Sequence, residues 1–335
     1  MMESRLLSVE GLRVAIDGGG RTIHAVDGID FEIGRRVSMG LVGESGCGKS
    51  LTALSILRLL PKPAVRIDAG RIVFEGVDLA ALPEGELRAY RGKRIAMIFQ
   101  EPMTSLNPVY SCGEQIAESL RLHEGLSRRE AAERSVDLLD RVRIADPSRR
   151  AKEYPHQLSG GMRQRVMIAI AISCSPRLLI ADEPTTALDV TVQAEILELL
   201  ESLRESMAMS LLHISHDLAV LARSAQQIMV MYAGKIVESA RAERLFEAPA
   251  HPYTLGLLAC RPELGSKRLR LPVIGGRVPD PGDRLPGCAF ADRCPFVQER
   301  CRVEEPPLRM LADEHVVQCF EAERVLAAER WPVDV

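Results

Sequence analysis

Aromatic residues and long apolar runs are both scarce in this chain. Phe, Trp and Tyr make up only 4% of its 335 residues, and the formal net charge is -3. Few aromatics and no excess of positive charge argue against nucleic acid as a partner. The longest apolar run, around Val166 to Ile172, is far shorter than the roughly 18–20 residues that cross a bilayer.

The first ten residues also lack the apolar stretch of a secretory signal peptide. They carry the charged residues Glu3 and Arg5 instead. We therefore expect the chain to stay in the cytoplasm unless a partner holds it at a membrane.

Turn residues and apolar periodicity divide the chain into stretches of different character. Predicted strands cover residues 6–16, 23–33, 37–42, 71–74, 95–99, 178–181 and 210–214, and predicted helices cover about 49–60, 127–143 and 192–207. Residues from about 105 to 165 are charged and helical in pattern, with a capping-box pattern at Ser127 and Glu130. After about residue 240, repeated prolines predict a loop-rich segment. The length allows one large domain and a smaller one.

A Gly-rich loop lies between a predicted strand and a predicted helix. It reads Gly43-Glu44-Ser45-Gly46-Cys47-Gly48-Lys49-Ser50 and fits G-x-x-x-x-G-K-[ST]. We predict that its backbone N–H groups and the start of the helix, including Leu51, bind phosphate oxygens. Lys49 is expected to reach the β- and γ-phosphates, and the Ser50 hydroxyl to bind Mg²⁺. Cys47 is either a redox-sensitive thiol or a tolerated small residue.

Two acids follow a second apolar strand. Asp182 and Glu183 come directly after the run Leu178–Ala181. Strands often end in solvated acids, so the pair alone decides little. Downstream of a phosphate loop, however, it predicts that Asp182 holds Mg²⁺ and that Glu183 polarises the attacking water. Phosphoryl transfer is mainly positioning and charge stabilisation, so one oriented acid beside the metal suffices.

A third motif, Leu158-Ser159-Gly160-Gly161-Met162, precedes another predicted helix. Alone it is compatible with a simple helix cap. In order with the phosphate loop and the acidic pair, it resembles the signature LSGGQ of ABC ATPases, with Met162 where Gln is commonest. The resemblance implies that Ser159, Gly160 and Gly161 contact the γ-phosphate of ATP on an opposite subunit, so that ATP joins a head-to-tail dimer.

Three further positions match ABC motifs in order and spacing. Gln100 matches the Q-loop glutamine, which contacts Mg²⁺ and senses the membrane partner. Ala187-Leu188-Asp189 matches the D-loop. His216 matches the switch histidine that contacts the γ-phosphate, although a lone His after a strand is more often structural. The aromatic residue on which the family stacks adenine has no counterpart near Ile16.

This resemblance covers about residues 6–240 and implies an α/β fold. The fold contains a mostly parallel core sheet, an antiparallel β subdomain and a helical subdomain at about 105–165. We expect the ABC ATPase domain to span residues 1–245 and a C-terminal region to span 246–335.

The C-terminal region resembles that of ATPase subunits of bacterial dipeptide and oligopeptide importers. The resemblance is carried by His251-Pro252-Tyr253-Thr254, by the cysteine-rich run after Gly287 and by the stretch from Phe99 to Pro108. It implies two transmembrane permease subunits, a second and different ATPase subunit, an indirect periplasmic peptide-binding protein and a peripheral place on the cytoplasmic face of the inner membrane. Residues near Gln100 to Tyr110 would pass the motion to the permeases. Nickel and glutathione stay open as alternative solutes.

Four of the eight cysteines cluster near the end of the chain: Cys288, Cys294, Cys301 and Cys319. In a reducing cytosol such a cluster indicates metal ligation before disulfides. A [4Fe–4S] cluster and structural zinc both accept four cysteines. Zinc sites usually contain close cysteine pairs, which are missing here, and the family resemblance also favours the cluster. We expect a small, loop-rich, metal-binding appendage that holds a structural [4Fe–4S] cluster, with zinc as the alternative.

Other classes fit the sequence less well. A DNA-repair ATPase of the SMC type has a long coiled coil between the phosphate loop and the signature, and no heptad run lies between Lys49 and Leu158. The translation-factor branch carries two ATPase domains, whereas this chain has one phosphate loop and one signature. A metal or redox protein built around the cysteines leaves the ATPase motifs unexplained.

Overall fold

The computed structural model describes residues 5–18, 20–100, 105–186, 188–260, 273–283, 286–312, 314–328 and 331. The chain divides into two compact units. The helical unit consists mainly of Ile33–Val37 and Ala81–Ile214, and the phosphate-loop unit consists of Leu7–Glu32, Ser38–Ala80 and Ser215–Val335.

Strands and helices follow one another along most of the chain. The strands are β1 (Arg5–Gly18), β2 (Arg21–Gly34), β3 (Ser38–Val42), β4 (Val65–Phe74), β5 (Val77–Asp78), β6 (Ile95–Ile98), β7 (Leu178–Asp182), β8 (Ser210–Ser215), β9 (Gln227–Tyr232), β10 (Lys235–Arg241), β11 (Arg309–Ala312) and β12 (His315–Val317). The α-helices are α1 (Lys49–Ile56), α2 (Glu84–Leu87), α3 (Cys112–Glu124), α4 (Arg128–Arg141), α5 (Pro147–Arg150), α6 (Gly160–Ile172), α7 (Val190–Ser206), α8 (Leu218–Ser224), α9 (Ala242–Glu247), α10 (Pro252–Ala259), α11 (Glu299–Val303) and α12 (Ala322–Leu326).

In the helical unit, the strand that ends in the acidic pair, β7, lies between two parallel neighbours. β6 pairs with β7, and β7 pairs with β8, so that Ala181 lies opposite both Ile98 and His213. Every residue of β7 and β8 is buried, which agrees with the continuous apolar run Leu178–Ala181 in the sequence. Helices α3, α4, α6 and α7 supply a common core with these strands. The predicted capping box of Ser127 and Glu130 is confirmed at the start of α4.

The phosphate-loop unit contains two groups of strands. The first is antiparallel between β1 and β4 and has the order β2-β1-β4-β5. In the second, β3 runs parallel to β9, with Val42 opposite Val230. β9 is antiparallel to β10, β10 to β12 and β12 to β11. The last residue of β3 is followed directly by the Gly-rich loop.

Helix α1 is shorter than the sequence predicts. It ends at Ile56 and not near residue 60, because Arg58 adopts a left-handed conformation with φ of 50°. The N–H of Arg58 donates to the Ser55 carbonyl and that of Leu59 to the Leu54 carbonyl. This pair of hydrogen bonds is a Schellman motif, which terminates a helix before any proline is reached.

The loop-rich prediction for the C-terminal region is incomplete, since this region also contains strands and short helices. β12 extends the sheet by pairing with β10, with Val317 opposite Glu238. Glu238 is fully buried, and its carboxylate accepts from the N–H groups of Ala250 (2.6 Å) and His251 (2.9 Å) and lies 2.8 Å from Nε2 of His315. A buried carboxylate is tolerated only with such partners. The domain boundary at residues 245 and 246 stays a prediction.

Candidate functional site

The Gly-rich loop is shaped by close approaches of the backbone. A Cβ atom on Gly43 would lie 2.2 Å from the Met231 carbonyl oxygen. One on Gly48, which has a φ of 107°, would lie 2.7 Å from the Ala25 carbonyl oxygen. Both positions therefore require glycine because of the surrounding strands. The two most exposed loop residues are Ser45 and Gly46, between these two glycines.

Lys49 folds back across this loop. Its side chain is only 5% exposed, and Nζ donates to the carbonyls of Gly43 (2.8 Å) and Glu44 (3.1 Å). Its charge is thus fixed beside the loop, with Ser50 and Leu51 half-buried in the first turn of α1. Cys47 is fully buried, and burial raises the pKa of its thiol although Lys49 opposes the shift. Because the thiolate is the reactive form, this environment favours the interpretation of Cys47 as a small packing residue.

Glu44, within the loop, is held by the C-terminal region. Its carboxylate forms a two-pronged ion pair with Arg293, with both N–O distances at 3.0 Å. Its backbone N–H donates to the Tyr253 hydroxyl at 2.8 Å. Neither contact was predicted from the sequence. The only signal for them was the position of Tyr253 within the His251–Thr254 motif.

In the helical unit, Glu183 lies among the groups expected to act with it. Its Oε2 accepts from Nε2 of Gln100 (3.1 Å) and from the Thr186 hydroxyl (3.0 Å). The backbone of Glu183 has a φ of 45°, an unusual value for a residue with a side chain. Asp182, one residue earlier at the end of β7, is 4% exposed. The structure therefore brings Gln100 and Glu183 together and adds Thr186, which was not predicted from the sequence.

The signature motif begins helix α6. The Ser159 side chain accepts from the N–H of Met162 and caps the helix. Ser159 and Gly160 are exposed. Gly161 is different, because a Cβ there would lie 2.8 Å from Cγ1 of Val192 in α7. Met162, which replaces the commonest Gln, packs against the core of the helical unit.

The two remaining motif residues also occupy the starts of helices or the ends of strands. Asp189 caps α7 by accepting from the N–H of Val192 at 3.0 Å; Ala187 of the same motif lies outside the described residues, as do residues 101–104. His216 is exposed directly after β8. His213, within that strand, is 1% exposed, and burial lowers its pKa to about 4. Exposure thus makes His216, and not His213, accessible to a ligand.

The four clustered cysteines line one small pocket beside Phe290 and Phe296. Two loops of this pocket are joined by a hydrogen bond from the Cys288 N–H to the Cys301 carbonyl at 2.7 Å. As unligated thiols, Cys294 and Cys319 have pKa values that burial raises to about 12. Among the described residues, no three His, Cys, Asp or Glu side chains are grouped as ligands of a metal ion. The four cysteines therefore share a pocket, but the described residues do not support the predicted metal-binding appendage.

Comparison with known proteins identifies the family. A putative peptide import ATP-binding protein of Brucella abortus is 50% identical over 98% of this chain and 100% of the relative. A probable peptide ABC transporter ATP-binding protein of Sinorhizobium fredii is 49% identical over 96% of each chain. This chain belongs to the ABC transporter family. Residues 26–186 match the family described as ABC transporter, and residues 237–301 match the oligopeptide/dipeptide transporter C-terminal region.

Solved structures of ABC cassettes confirm the ATPase fold. A post-hydrolysis dimer of the ATP-binding cassette MJ0796, bound to ADP and Pi, has a TM-score of 0.64 at 26% identity and covers 70% of this chain and 98% of its own. The structure of cbiO1 from Clostridium perfringens, part of the transporter complex cbiONQ, has a TM-score of 0.62 at 26% identity, over 73% of this chain and 91% of its own. The chain is an ABC ATPase. Within the described ranges, no helix is both long enough and apolar enough to cross a membrane.

Proposed function

We propose that this chain hydrolyses ATP to drive import of dipeptides or oligopeptides through membrane permeases. The observation that carries the proposal is the near-complete coverage by relatives named as peptide import ATP-binding proteins. The oligopeptide/dipeptide C-terminal region supports the same solute class. Nickel and glutathione are the competing solutes.

The proposed hydrolysis mechanism assigns a role to residues of each unit. Lys49 and the N–H groups of the Gly43–Leu51 loop bind phosphate oxygens, and His216 contacts the γ-phosphate. Glu183 orients and polarises the attacking water, with its carboxylate held by Gln100 and Thr186. This geometry supports the assignment, because phosphoryl transfer depends on positioning more than on covalent chemistry.

The donors proposed for Mg²⁺, two in the helical unit and one in the phosphate-loop unit, fit that ion. The buried carboxylate of Asp182 and the amide oxygen of Gln100 are hard oxygen donors, the type that Mg²⁺ prefers, and the Ser50 hydroxyl is a third. When bound, the ion neutralises phosphate charge. Asp182, Ser50 and Gln100 would hold it.

The signature residues act on ATP held by a second ATPase subunit. Ser159 and Gly160 are exposed at the start of a helix of 13 residues, where N–H groups and the helix dipole favour an anion. Gly161 and Asp189 complete this surface. We infer a head-to-tail dimer whose partner is a related but different ATPase subunit.

The permeases contact the region around Gln100 to Tyr110, and the chain is peripheral on the cytoplasmic face of the inner membrane. Phe99, Val109 and Tyr110 are 40%, 72% and 53% exposed, which supports this region as a protein-binding surface. Two permeases form the pathway, and a periplasmic binding protein presents the peptide to them.

The four-cysteine pocket holds a structural [4Fe–4S] cluster in this proposal. One pocket is lined by Cys288, Cys294, Cys301 and Cys319. A [4Fe–4S] cluster, which is a cubane, is held by four thiolates. A single zinc ion would draw the sulfurs to about 3.8 Å from one another, given Zn–S bonds of about 2.3 Å, whereas a cubane holds them farther apart. Anaerobic purification with iron, sulfide and zinc analysis separates the two. Stoichiometric zinc without iron or colour refutes the cluster, and Cys294→Ser should lose the metal while nucleotide still binds.

Reconstitution tests the transport function directly. The chain is assembled with its permeases and the second ATPase in vesicles, and uptake of labelled dipeptide, oligopeptide, nickel and glutathione is compared with and without the binding protein. Peptide uptake that needs ATP and is abolished by Lys49→Ala is expected. ATP-driven uptake of nickel or glutathione alone would replace peptide as the solute.

A further inference from the structure

Glu44 connects the phosphate loop to the C-terminal region through two polar groups, its carboxylate and its backbone N–H. Its two carboxylate oxygens each accept one guanidinium N–H of Arg293 at 3.0 Å. Its N–H donates to the Tyr253 hydroxyl, and its carbonyl accepts from Lys49 Nζ at 3.1 Å. The residue therefore links Lys49, which is expected to bind phosphate, with two side chains from beyond residue 250.

Arg293 is itself held rigidly. Its side chain is 6% exposed, against 31% for Glu44. Its other donors reach the carbonyls of Gly275 (2.8 Å) and Ile274 (3.2 Å) and the Tyr232 hydroxyl (3.3 Å). A two-pronged Arg–carboxylate pair with a buried guanidinium fixes direction as well as distance. The position of Arg293 therefore determines where the Glu44 carboxylate can lie.

Tyr253 fixes the backbone of the same residue. It is fully buried, and burial raises its pKa, so the group that accepts from Glu44 is a neutral phenol. Tyr253 lies in the first turn of α10, where the His251 side chain accepts from its N–H at 3.1 Å. The position of α10 therefore determines where the Tyr253 hydroxyl lies, and with it the position of the Glu44 backbone N–H in the phosphate loop.

The same side chains contact Phe290, a residue that lines the four-cysteine pocket. Arg293 directly precedes Cys294 in the chain. The ring of Phe290, which lines the pocket, lies 5.8 Å from the Arg293 guanidinium carbon and 5.5 Å from the Tyr253 ring. Phe290 therefore joins the wall of the pocket to both side chains that hold Glu44.

We propose that Arg293 and Tyr253 are positioning residues for the phosphate loop, and that through Glu44 they couple the four-cysteine pocket to nucleotide binding. This inference rests on the proposed function, since it takes the loop as the nucleotide site. Coupling is reciprocal: if the pocket affects nucleotide affinity, nucleotide affects the pocket equally.

Affinity for MgADP, measured by titration calorimetry on the isolated full chain, tests the positioning role without hydrolysis. Arg293→Gln and Glu44→Gln should each weaken binding by at least fivefold, and the double variant should be no weaker than the weaker single variant, because both remove one interaction. Arg302→Gln is the matched control. It breaks the exposed pair with Asp292 in the same segment and should leave affinity unchanged.

Tyr253→Phe provides a milder variant if Arg293→Gln does not fold. It removes only the hydroxyl that accepts from Glu44 and should still weaken MgADP binding at least threefold with a cooperative thermal transition. Wild-type chain that binds no MgADP would refute the nucleotide site itself. Normal binding by wild type and by folded Arg293→Gln or Tyr253→Phe would overturn only the positioning role.

Thiol reactivity tests the coupling at the other end. In metal-free chain, saturating MgADP should slow alkylation of Cys288 and Cys294 at least threefold, as followed by mass spectrometry of each cysteine peptide. The protection should be lost in Arg293→Gln and kept in Arg302→Gln. Equal alkylation rates with and without MgADP in the wild-type chain would overturn the coupling.

Discussion

The substitution Glu183→Gln keeps the shape of the side chain and removes its negative charge. The Oε2 atom accepts two hydrogen bonds, from Gln100 and Thr186, at 3.1 and 3.0 Å. An amide oxygen accepts the same two bonds, although each is weaker without the charge, so the free energy of unfolding should change by only about 1 kcal/mol. Nucleotide binding should survive, because the Lys49 loop is untouched.

Turnover should respond much more strongly than stability. Loss of a positioned acid or base typically lowers a rate by about 10²- to 10⁴-fold, which corresponds to roughly 3–5 kcal/mol in the barrier. Single-turnover ATP hydrolysis in the assembled transporter measures this loss, with MgATP affinity measured beside it. Thr186→Val, which leaves the charge but removes one donor, should slow hydrolysis by about tenfold at most.

The control for the charge change is Glu198→Gln. Glu198 is 71% exposed in the same unit and pairs with Arg143 on the surface, so hydrolysis should be normal. A near-normal single-turnover rate in Glu183→Gln would show that Glu183 is not the catalytic carboxylate. Equal impairment in Glu198→Gln would show that the assay reports net charge and not the site.

Three further predictions concern the signature helix and a buried histidine. Ser159→Arg should block ATPase activity of the complex and leave nucleotide affinity of the isolated chain unchanged; a collapse of that affinity would contradict action in trans. Gly161→Ala should destabilise the chain by about 1–3 kcal/mol, because its Cβ would lie 2.8 Å from Val192, whereas Gly160→Ala, whose nearest neighbour is 3.6 Å away, should not lower the melting temperature. His213 has a pKa of about 4 in the folded chain against a usual 6.5. The free energy of unfolding should therefore be unaffected by this group above pH 6.5 and fall by up to about 3 kcal/mol as pH drops to 4, because the unfolded chain takes up the proton first. Urea unfolding at a series of pH values measures this loss, and His213→Leu should show a shallower pH dependence.

The parts of the site that the sequence predicts are those defined by local order. The phosphate loop combines a strand, glycines that neighbouring carbonyls require and a following lysine, all within nine residues from Val42 to Ser50. The acidic pair after β7 is equally local. Such patterns can be interpreted from neighbouring residues alone, so they predict a site without knowledge of the rest of the chain. The contact between Gln100 and Glu183 was not predicted, because it depends on the pairing of β6 with β7.

The parts that the sequence does not predict depend on distant partners. Glu44 and Arg293 are 249 residues apart, and neither local charge nor periodicity singles out that pair. The pairing of β12 with β10 was missed for the same reason, because a three-residue strand has little pattern of its own. Thr186 was missed because a single hydroxyl after an acidic pair has no distinctive spacing.

The division of the chain has a consequence for how it is made on the ribosome. The phosphate-loop unit is discontinuous: its first part ends at Ala80 and its last begins at Ser215, with the helical unit between them. During synthesis the loop at Gly43 emerges early, but the arginine that pairs with Glu44 follows 249 residues later. At a translation rate of roughly 5–20 residues per second, Arg293 is therefore synthesised on the order of 10 to 50 seconds after the loop. Residues 81–214 can meanwhile complete their own core, so the nucleotide-binding loop is among the first segments translated and among the last to reach its final contacts.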